Sequence, residues 1–542
     1  VRPLPPNPPE VMSTPNHGLP APGTVGALLA PLRETTDSGL YFEDEFVCWR
    51  DHLRLSATRA AALRGLIDPD RPRHVALLLE NIPEFSYLLG AAVLGELVVV
   101  GLNPTRRGAA LAADIATADC QVVIVENSTA HLLDDIDETD VEFFNVDDPG
   151  WEQLLAPYID VDPEFGCGDP EALLMLIFTS GTSGDPKAVQ CSHRKLAASG
   201  TMLSKRFDLG PEDVVYLSMP MFHSNAIIAG WMVAVAGGSS VALRRKFSAG
   251  AFIDDIRRYR ATYANYVGKP LSYVLATPAR PDDTDNPLRI LYGNEASAAD
   301  IAATTTRFDV RVVDGFGSTE GGVAIARTPD TPPEALGPLV PPNQVRNPET
   351  GEVCAVARFD RSGRLVNADE AVGEIVNSSG GGLFTGYYRN PQADAERMRG
   401  GIYHSGDLGY VDDRGYVYFA GRLGDWVRVD GENMGTGPIE RVLLRHPSIT
   451  MAAVYGVRAD VGDELAAALV APDLSAEQLT SFLAAQPDLG PKQWPTSIRV
   501  VDDLPRTDTF KILKRTLAAD TTNPTWVRPG RTLEYVPAPS VP

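Results

Sequence analysis

Six residues that can cradle an anion follow one another at Thr179, Ser180, Gly181, Thr182, Ser183 and Gly184, and Lys187 closes the run with a cation. Hydroxyls and bare amides on a glycine-loosened backbone suit a polyphosphate. A Walker loop requires Gly-x-x-x-x-Gly-Lys-Ser/Thr, whereas here Lys187 follows Pro186 and precedes Ala188. A plain Ser/Gly linker is the bland reading, but linkers seldom follow an apolar strand or end in Pro-Lys. Two more small-residue turns each follow an apolar run: LRILYGNEAS at 288–297 and VRVVDGFGSTEGG at 310–322. Ligands gather at strand ends of open parallel sheets, so these turns are expected to converge on the same nucleotide. Phe316 offers a flat face for a purine and Glu320 a carboxylate for a divalent cation. His223, in MPMFHSNA, is either a satisfied core histidine or part of the chemistry. Arg244, Arg245 and Lys246 form either a solvated face or a contact for the phosphate of a second cofactor.

The elements that must position these groups follow from patterning. Leu173–Phe178 is a continuous apolar run of strand length, expected to be buried on both faces. Upstream, helical pieces (Ser56–Leu66, Pro83–Gly95, Gly108–Ala118) alternate with strands (His74–Leu79, Leu97–Gly101, Gln121–Val125), which is an α/β layer pattern. Val214–Met219 is another strand, and Ser248 reads as the N-cap of a helix over Ala249–Tyr259. Residues 1–22 carry eight prolines and no apolar core, so a disordered arm is expected there. The 542 residues exceed one core, and 44% hydrophobic with 22% charged residues is ordinary globular composition. A net charge of -23 argues against broad binding to nucleic acid. Five scattered cysteines without a CxxC pair read as reduced thiols, and a cytoplasmic protein fits best. No apolar stretch reaches the roughly 20 residues of a transmembrane helix, while peripheral membrane contact stays compatible with this composition.

Together with YHSGDLGYVDDRGYVYFAGRLGDWVRVDGENM at 403–434 and LPRTDTFKILKRTL at 504–517, these motifs resemble, in order and spacing, those of the adenylate-forming superfamily. Within it, LRRKFSAG, YVGKPLSYVLATP, GDWVRVDGEN and Thr-Phe-Lys are similar to the very-long-chain acyl-CoA synthetase, fatty-acid transport protein and bile-acid CoA ligase branch. The resemblance implies a large N-terminal adenylate-forming domain of layered sheets and helices over 23–423. A small mobile α/β lid would follow over 424–520, with a hinge at Gly424, and a tail over 521–542.

Residue by residue, the resemblance implies that the 179–187 loop holds the β and γ phosphates of ATP and that Thr182 and Glu320 hold Mg2+. Gly293, Asn294 and Glu295 with Asp314, Gly315 and Phe316 would form the adenine pocket, and Gly317, Ser318 and Thr319 continue the nucleotide site. Asp407 would take both ribose hydroxyls beside Arg422, while Arg428, Gly431 and Asn433 belong to the lid's share of the cofactor site. Lys511 would be the mobile catalytic lysine, acting with Lys187, His223 and Glu320. MPMFHSNA with Trp231, and Tyr266–Leu271, are expected to line a tunnel for the acid, whereas DDRG at 412–415 is expected to be a plain hairpin turn. The implied activity is ATP-dependent ligation of CoA to a fatty acid or other hydrophobic acid, a steroid side-chain acid included, through an acyl-adenylate. Transfer to a carrier protein, or lipid transport on the same fold, are the alternatives. Departures from the family pattern are Ala188 for glycine, Gly424 at the hinge and Phe510 before the lysine; none removes a charged group the chemistry needs. Oligomeric state and acid preference are not legible in the chain.

Overall fold

A computed structural model describes residues 22–134, 136, 141–166, 168–180, 186–361, 363, 365–423, 427–429, 432–434, 436–458, 463–486, 489–506, 512–520, 524–530 and 532–538. Expectations that fall on Gly181, Thr182, Ser183, Gly184, Gly424, Gly431, Lys511 and the arm 1–21 lie outside these residues. The chain divides into two compact units, 1–313 with 383–394, and 314–382 with 395–542.

The first unit holds two sheets. One runs, edge to edge, Glu142–Asn145, Val122–Val125, His74–Leu78, Val98–Gly101, Leu173–Ser180 and Pro186–Ser192. All its neighbours are parallel except the last pair. Valine and isoleucine fill the inner strands Val98–Gly101 and Val122–Val125, which are buried at every position. Met175 and Ile177 face one cluster and Leu176 another, as the apolar run predicts. The second sheet runs Glu45–Cys48, Gly39–Phe42, Ser240–Leu243, Val214–Leu217, Tyr263–Val267, Ile290–Asn294 and Arg311–Gly317.

Helices Trp49–Leu66 and Pro83–Gly95 pack as a pair. Proline opens the second, where a missing N–H costs nothing, and Glu96 in the left-handed region ends it. The pair buries Arg59 against Glu84, with Nε to Oε1 and Nη2 to Oε2 both at 2.5 Å. The helix expected from Ala249 begins three residues later, at Phe252 with Ala251 as its cap residue. Ser248 instead accepts from the Ala251 amide at 3.4 Å, closing the turn that leads in.

The second unit contains an antiparallel sheet, Gly337–Pro338, Tyr416–Arg422, Ile402–Val411, Gly373–Asn377 and Asn343–Arg346, with Met398–Arg399 pairing onto Ile402–Val411. Asp412–Gly415 is the hairpin turn expected: Asp412 Oδ1 accepts from the Arg414 and Tyr416 amides, and Gly415 takes φ +85°. A further sheet joins Met451–Arg458, Asp463–Val470, Ser497–Val500, Trp526–Val527 and Val536–Pro537. Within the segment expected as a tail, Trp526–Val527 and Val536–Pro537 thus form the edge of this sheet. Trp526 and Tyr535 are apolar enough to join the core, and Tyr535 stacks on Trp494 and donates to the Pro495 carbonyl at 2.8 Å. Cys48, Cys120, Cys191 and Cys354 are free thiols, as expected, and Cys167 lies outside the described residues. Among the described residues no helix is long and apolar enough to cross a membrane.

Candidate active site

In the first unit the phosphate loop leaves a strand pair whose register holds to its end: Ile177 faces Val189, Phe178 faces Ala188, Thr179 faces Lys187 and Ser180 faces Pro186. Lys187 is thus fixed one step from the loop's far end. Its Nζ lies 5.4 Å from the centroid of the Tyr387 ring, within cation–π range. Tyr387 belongs to 383–394, which bonds alongside the loop's return strand: Tyr388 N to Ala188 O at 2.8 Å, and Gln190 N to Gly386 O at 3.0 Å. Sequence reasoning missed this support, because the segment is remote in the chain and carries no motif.

His223 stands at the start of a short helix, Ser224–Ala226, that continues through a π-helical turn, Ile227–Trp231, into Met232–Gly237. Buried Asn81 pins the loop before it, donating to the Met219 carbonyl at 2.9 Å and accepting from the Met221 amide at 2.8 Å. The two stretches expected to wall one acid tunnel meet where Asn225 Nδ2 donates to the Tyr266 carbonyl at 3.1 Å, but their apolar side chains divide between two clusters, Val267 with Trp231 and Tyr266 with Leu271. Trp231 lies fully buried, its Nε1 donating to Ser86 Oγ at 2.8 Å within the cluster that includes Tyr263 and Val267. Tyr266 and Leu271 pack in the cluster on the other side, with Tyr216 and Ala264. Strand alternation separates them, since Tyr266 and Val267 are neighbours and must point oppositely.

Gly293 and Asn294 end the strand Ile290–Asn294, and Glu295 follows it, exposed, at φ +68°. Arg244, Arg245 and Lys246 do not form a patch awaiting a phosphate. Arg244 pairs with Asp255 at 3.2 Å, Arg245 with Glu126 at 2.6 Å, and Lys246 with Glu80 at 2.5 Å. Glu80 and Glu126 are buried or nearly so, and a buried carboxylate must find a cation or a donor.

The second unit carries the carboxylates. Asp314, Gly315, Phe316 and Gly317 end the strand Arg311–Gly317, whose last residues pair with Ala324–Ala326. Phe316 is half-buried and meets Phe419 at a centroid distance of 6.4 Å. Ser318 starts a turn closed by the Gly321 amide, and Thr319 and Glu320 are buried within it. Gly322 must be glycine: a Cβ there would lie 2.3 Å from a ring carbon of Tyr403. Asn377 Nδ2 donates to its carbonyl at 2.9 Å. The Glu320 turn is therefore docked on Gly373–Asn377 and Ile402–Val411, the strands that also carry HSGD.

Asp407 lies directly across from Arg422, with Nε to Oδ1 at 3.5 Å. Its strand bulges here. Glu374 pairs with Leu408 and Val376 with His404, so three residues, Ser405, Gly406 and Asp407, face Ile375 alone. Bulges of this kind re-aim a side chain out of the ladder. Arg428 and Asn433 face each other across the hairpin Val427–Val429 and Glu432–Met434. Lys514, three places beyond Lys511, bonds Thr436 Oγ1 and Glu440 Oε1, both at 2.8 Å.

Among the described residues no three His, Cys, Asp or Glu side chains gather as a metal cluster. Glu320 is a single buried carboxylate, which fits Mg2+ as held at nucleotide sites, where phosphates and waters supply most ligands.

The AMP-binding enzyme family model matches residues 33–388, and the AMP-binding enzyme C-terminal domain model matches 438–511. The chain is 57% identical over 511 residues to the medium/long-chain-fatty-acid--CoA ligase FadD17 of Mycobacterium tuberculosis, covering 94% of this chain and 97% of that protein. It is 44% identical over 477 residues to the steroid-22-oyl-CoA synthetase of Rhodococcus jostii, covering 86% of each. The crystal structure of ATP-bound MatB from Rhodopseudomonas palustris superposes with a TM-score of 0.80 at 24% identity, over 91% of this chain and 98% of that one, a likeness of fold.

Proposed function

We propose that this chain, which belongs to the AMP-binding enzyme family, joins a hydrophobic carboxylic acid to CoA, using ATP and releasing AMP and pyrophosphate. The observation that carries the reading is the 57% identity, across nearly the whole chain, to a medium/long-chain-fatty-acid--CoA ligase. The steroid-22-oyl-CoA synthetase likeness widens the acid to steroid side chains.

The chemistry requires two half-reactions. Carboxylate and thiolate are both anionic, so the acyl oxygen first attacks the α-phosphorus and pyrophosphate leaves. The CoA sulfur then attacks the acyl carbon and AMP leaves. In this reading Thr179–Lys187 embraces the β and γ phosphates, and Lys187 offsets charge on the departing pyrophosphate. Glu320 with Thr182 would hold Mg2+, which neutralises phosphate charge when bound. Asp407, re-aimed by its bulge and flanked by Arg422, takes the ribose hydroxyls, and Phe316 stacks on the adenine. His223, on its pinned loop, borders the acid. Residues 424–520 act as the lid, bringing Lys511 to the α-phosphate for adenylation and withdrawing it for thioester formation. The half-buried pair of Lys514 with Glu440 stiffens the body that carries Lys511.

The test supplies the purified protein with acids from acetate to hexadecanoate and steroid side-chain acids, with ATP and CoA. AMP, pyrophosphate and the acyl-CoA are expected. Each buried methylene contributes about 0.8 kcal/mol, so acids of eight or more carbons should exceed acetate by orders of magnitude in kcat/KM. Acid-dependent ADP would refute the reading, and adenylate that forms but never reaches free CoA would favour a carrier protein as acceptor.

A further inference from the structure

We infer that Glu374, through the bulge it supports, is the positioning residue that sets the ribose site; the inference rests on the reading of Asp407 above. A bulge breaks the ladder and leaves backbone groups without partners. Here side chains replace the lost bonds. Glu374 sits in a strand, Gly373–Asn377, buried at every position, and its own side chain is 2% exposed. Its Oε1 accepts from the Gly406 amide at 2.8 Å. Its Oε2 accepts from His404 Nδ1 at 2.6 Å and from Arg399 Nη2 at 3.0 Å. One carboxylate therefore holds the first and third residues of His-Ser-Gly-Asp, and the fourth is Asp407.

The rest of the turn is closed from both sides. Ser405 Oγ donates to the Ile375 carbonyl at 2.6 Å and accepts from the Asp407 amide at 3.0 Å. Arg397 Nη1 donates to the His404 carbonyl at 3.2 Å and also to that of Ser405. Gly406 takes φ +76°, and a Cβ there would stand 2.7 Å from Arg397 Nη1. The amides of Gly406 and Asp407 thus both end on side-chain acceptors, and the acceptor at the centre of the turn is Glu374. Glutamine has the same shape but one oxygen. Whichever way its amide turns, an NH2 faces either the Gly406 N–H or the His404 and Arg399 donors, so one side of the bulge is released.

A group that acts by aiming Asp407 must share its chemical signature, which is discrimination between ATP and 2′,3′-dideoxy-ATP. Pyrophosphate exchange is measured with both nucleotides for the wild type, Glu374→Gln, Asp407→Asn and the double variant. A displacement near 1 Å can cost up to about a hundredfold, and a loss of about thirtyfold in kcat/KM for ATP is expected for Glu374→Gln. The loss for the dideoxy nucleotide should stay under about threefold, so the preference for ATP collapses as it does in Asp407→Asn. The double variant should be no worse than the worse single one, because the two act as a unit. Ser405→Ala, which removes two bonds from the same turn without burying a new group, should shift the preference in the same direction. Equal losses for both nucleotides in Glu374→Gln, or an unchanged preference in a folded Glu374→Gln or in Ser405→Ala, overturn the inference while leaving Asp407 in place. An unchanged preference in Asp407→Asn overturns the ribose reading itself, and the inference with it.

Discussion

The phosphate loop and the HSGD bulge solve the same problem by opposite means. In the first unit the strand pair runs regularly from Ile177 opposite Val189 to Ser180 opposite Pro186, and the residues proposed to bind phosphate follow it in sequence. In the second unit the ladder itself is deformed, and the carboxylate proposed to take the ribose hydroxyls is a strand residue pushed out of register. A loop needs small residues to curl around phosphate, so composition betrays it. A bulge needs distant side chains to satisfy the backbone it exposes, and those are ordinary residues at unremarkable spacing.

The largest expected effect separates the two directly. Lys187→Met removes the cation that faces the leaving group, and loss of one such preorganised charge typically costs about 10²–10³ in rate. Acid-dependent pyrophosphate exchange should fall by about that factor while the preference for ATP over its dideoxy analogue stays at the wild-type value. If Lys187→Met instead erased that preference, loop and bulge would not be doing separate work.

The same contrast explains what could be read in the chain. Pro83–Gly95 was legible to the residue, because proline opens it and an apolar run fills it. The strands His74–Leu78 and Val122–Val125 were legible to within a residue or two because a short, mostly apolar run is what a doubly covered strand requires. The role proposed for Asp407 comes only from resemblance, since an Asp in Ser-Gly-Asp is by itself a turn. Glu374 carried a signal that was overlooked: a charged residue inside a five-residue strand flanked by glycine and branched apolar side chains. The ion pairs of Arg244–Lys246 were not legible because their carboxylates, Glu80, Glu126 and Asp255, lie up to about 165 positions away in sequence.

A smaller effect tests the scaffold behind the first unit. His52 Nε2 lies 2.8 Å from Ser86 Oγ, which also accepts Trp231 Nε1, so this buried polar chain ties both helices of the pair to the helix after His223. Full burial lowers the His52 pKa from 6.5 to about 3. The folded state therefore holds the ring neutral while the unfolded chain protonates below pH 6.5, so stability is retained above that pH and lost as pH falls toward 3. At about 1.4 kcal/mol per pH unit, acidification from pH 7 to pH 5 should cost about 2 kcal/mol through this group. Calorimetry at the two pH values should show the first unfolding transition dropping less in His52→Gln than in the wild type. An identical drop would mean that this chain of contacts does not hold the ring neutral.

The smallest expected effect concerns Lys246, and it is informative because the sequence alone leaves a larger one open. Three adjacent cations in a chain of net charge -23 invite assignment to a phosphate of CoA. The structure gives each a carboxylate. Lys246 is the most exposed of the three, its side chain 72% accessible, and its partner Glu80 also receives Arg245 at 3.5 Å. Removing Lys246 therefore leaves Glu80 with a cation beside it, and the loss of an ammonium this exposed to solvent costs little stability. Lys246→Gln should change the KM for CoA by less than about threefold, below the roughly 1.4 kcal/mol that corresponds to tenfold. The dependence of that KM on salt should likewise stay unchanged, because a cation already paired adds little to the field a phosphate feels. A rise of tenfold or more in the KM for CoA, with ATP and acid unaffected, would show that Glu80 yields this lysine to the cofactor. The arginine–lysine run would then be a binding site whose charges exchange an internal carboxylate for a phosphate, as a loop does and a bulge does not.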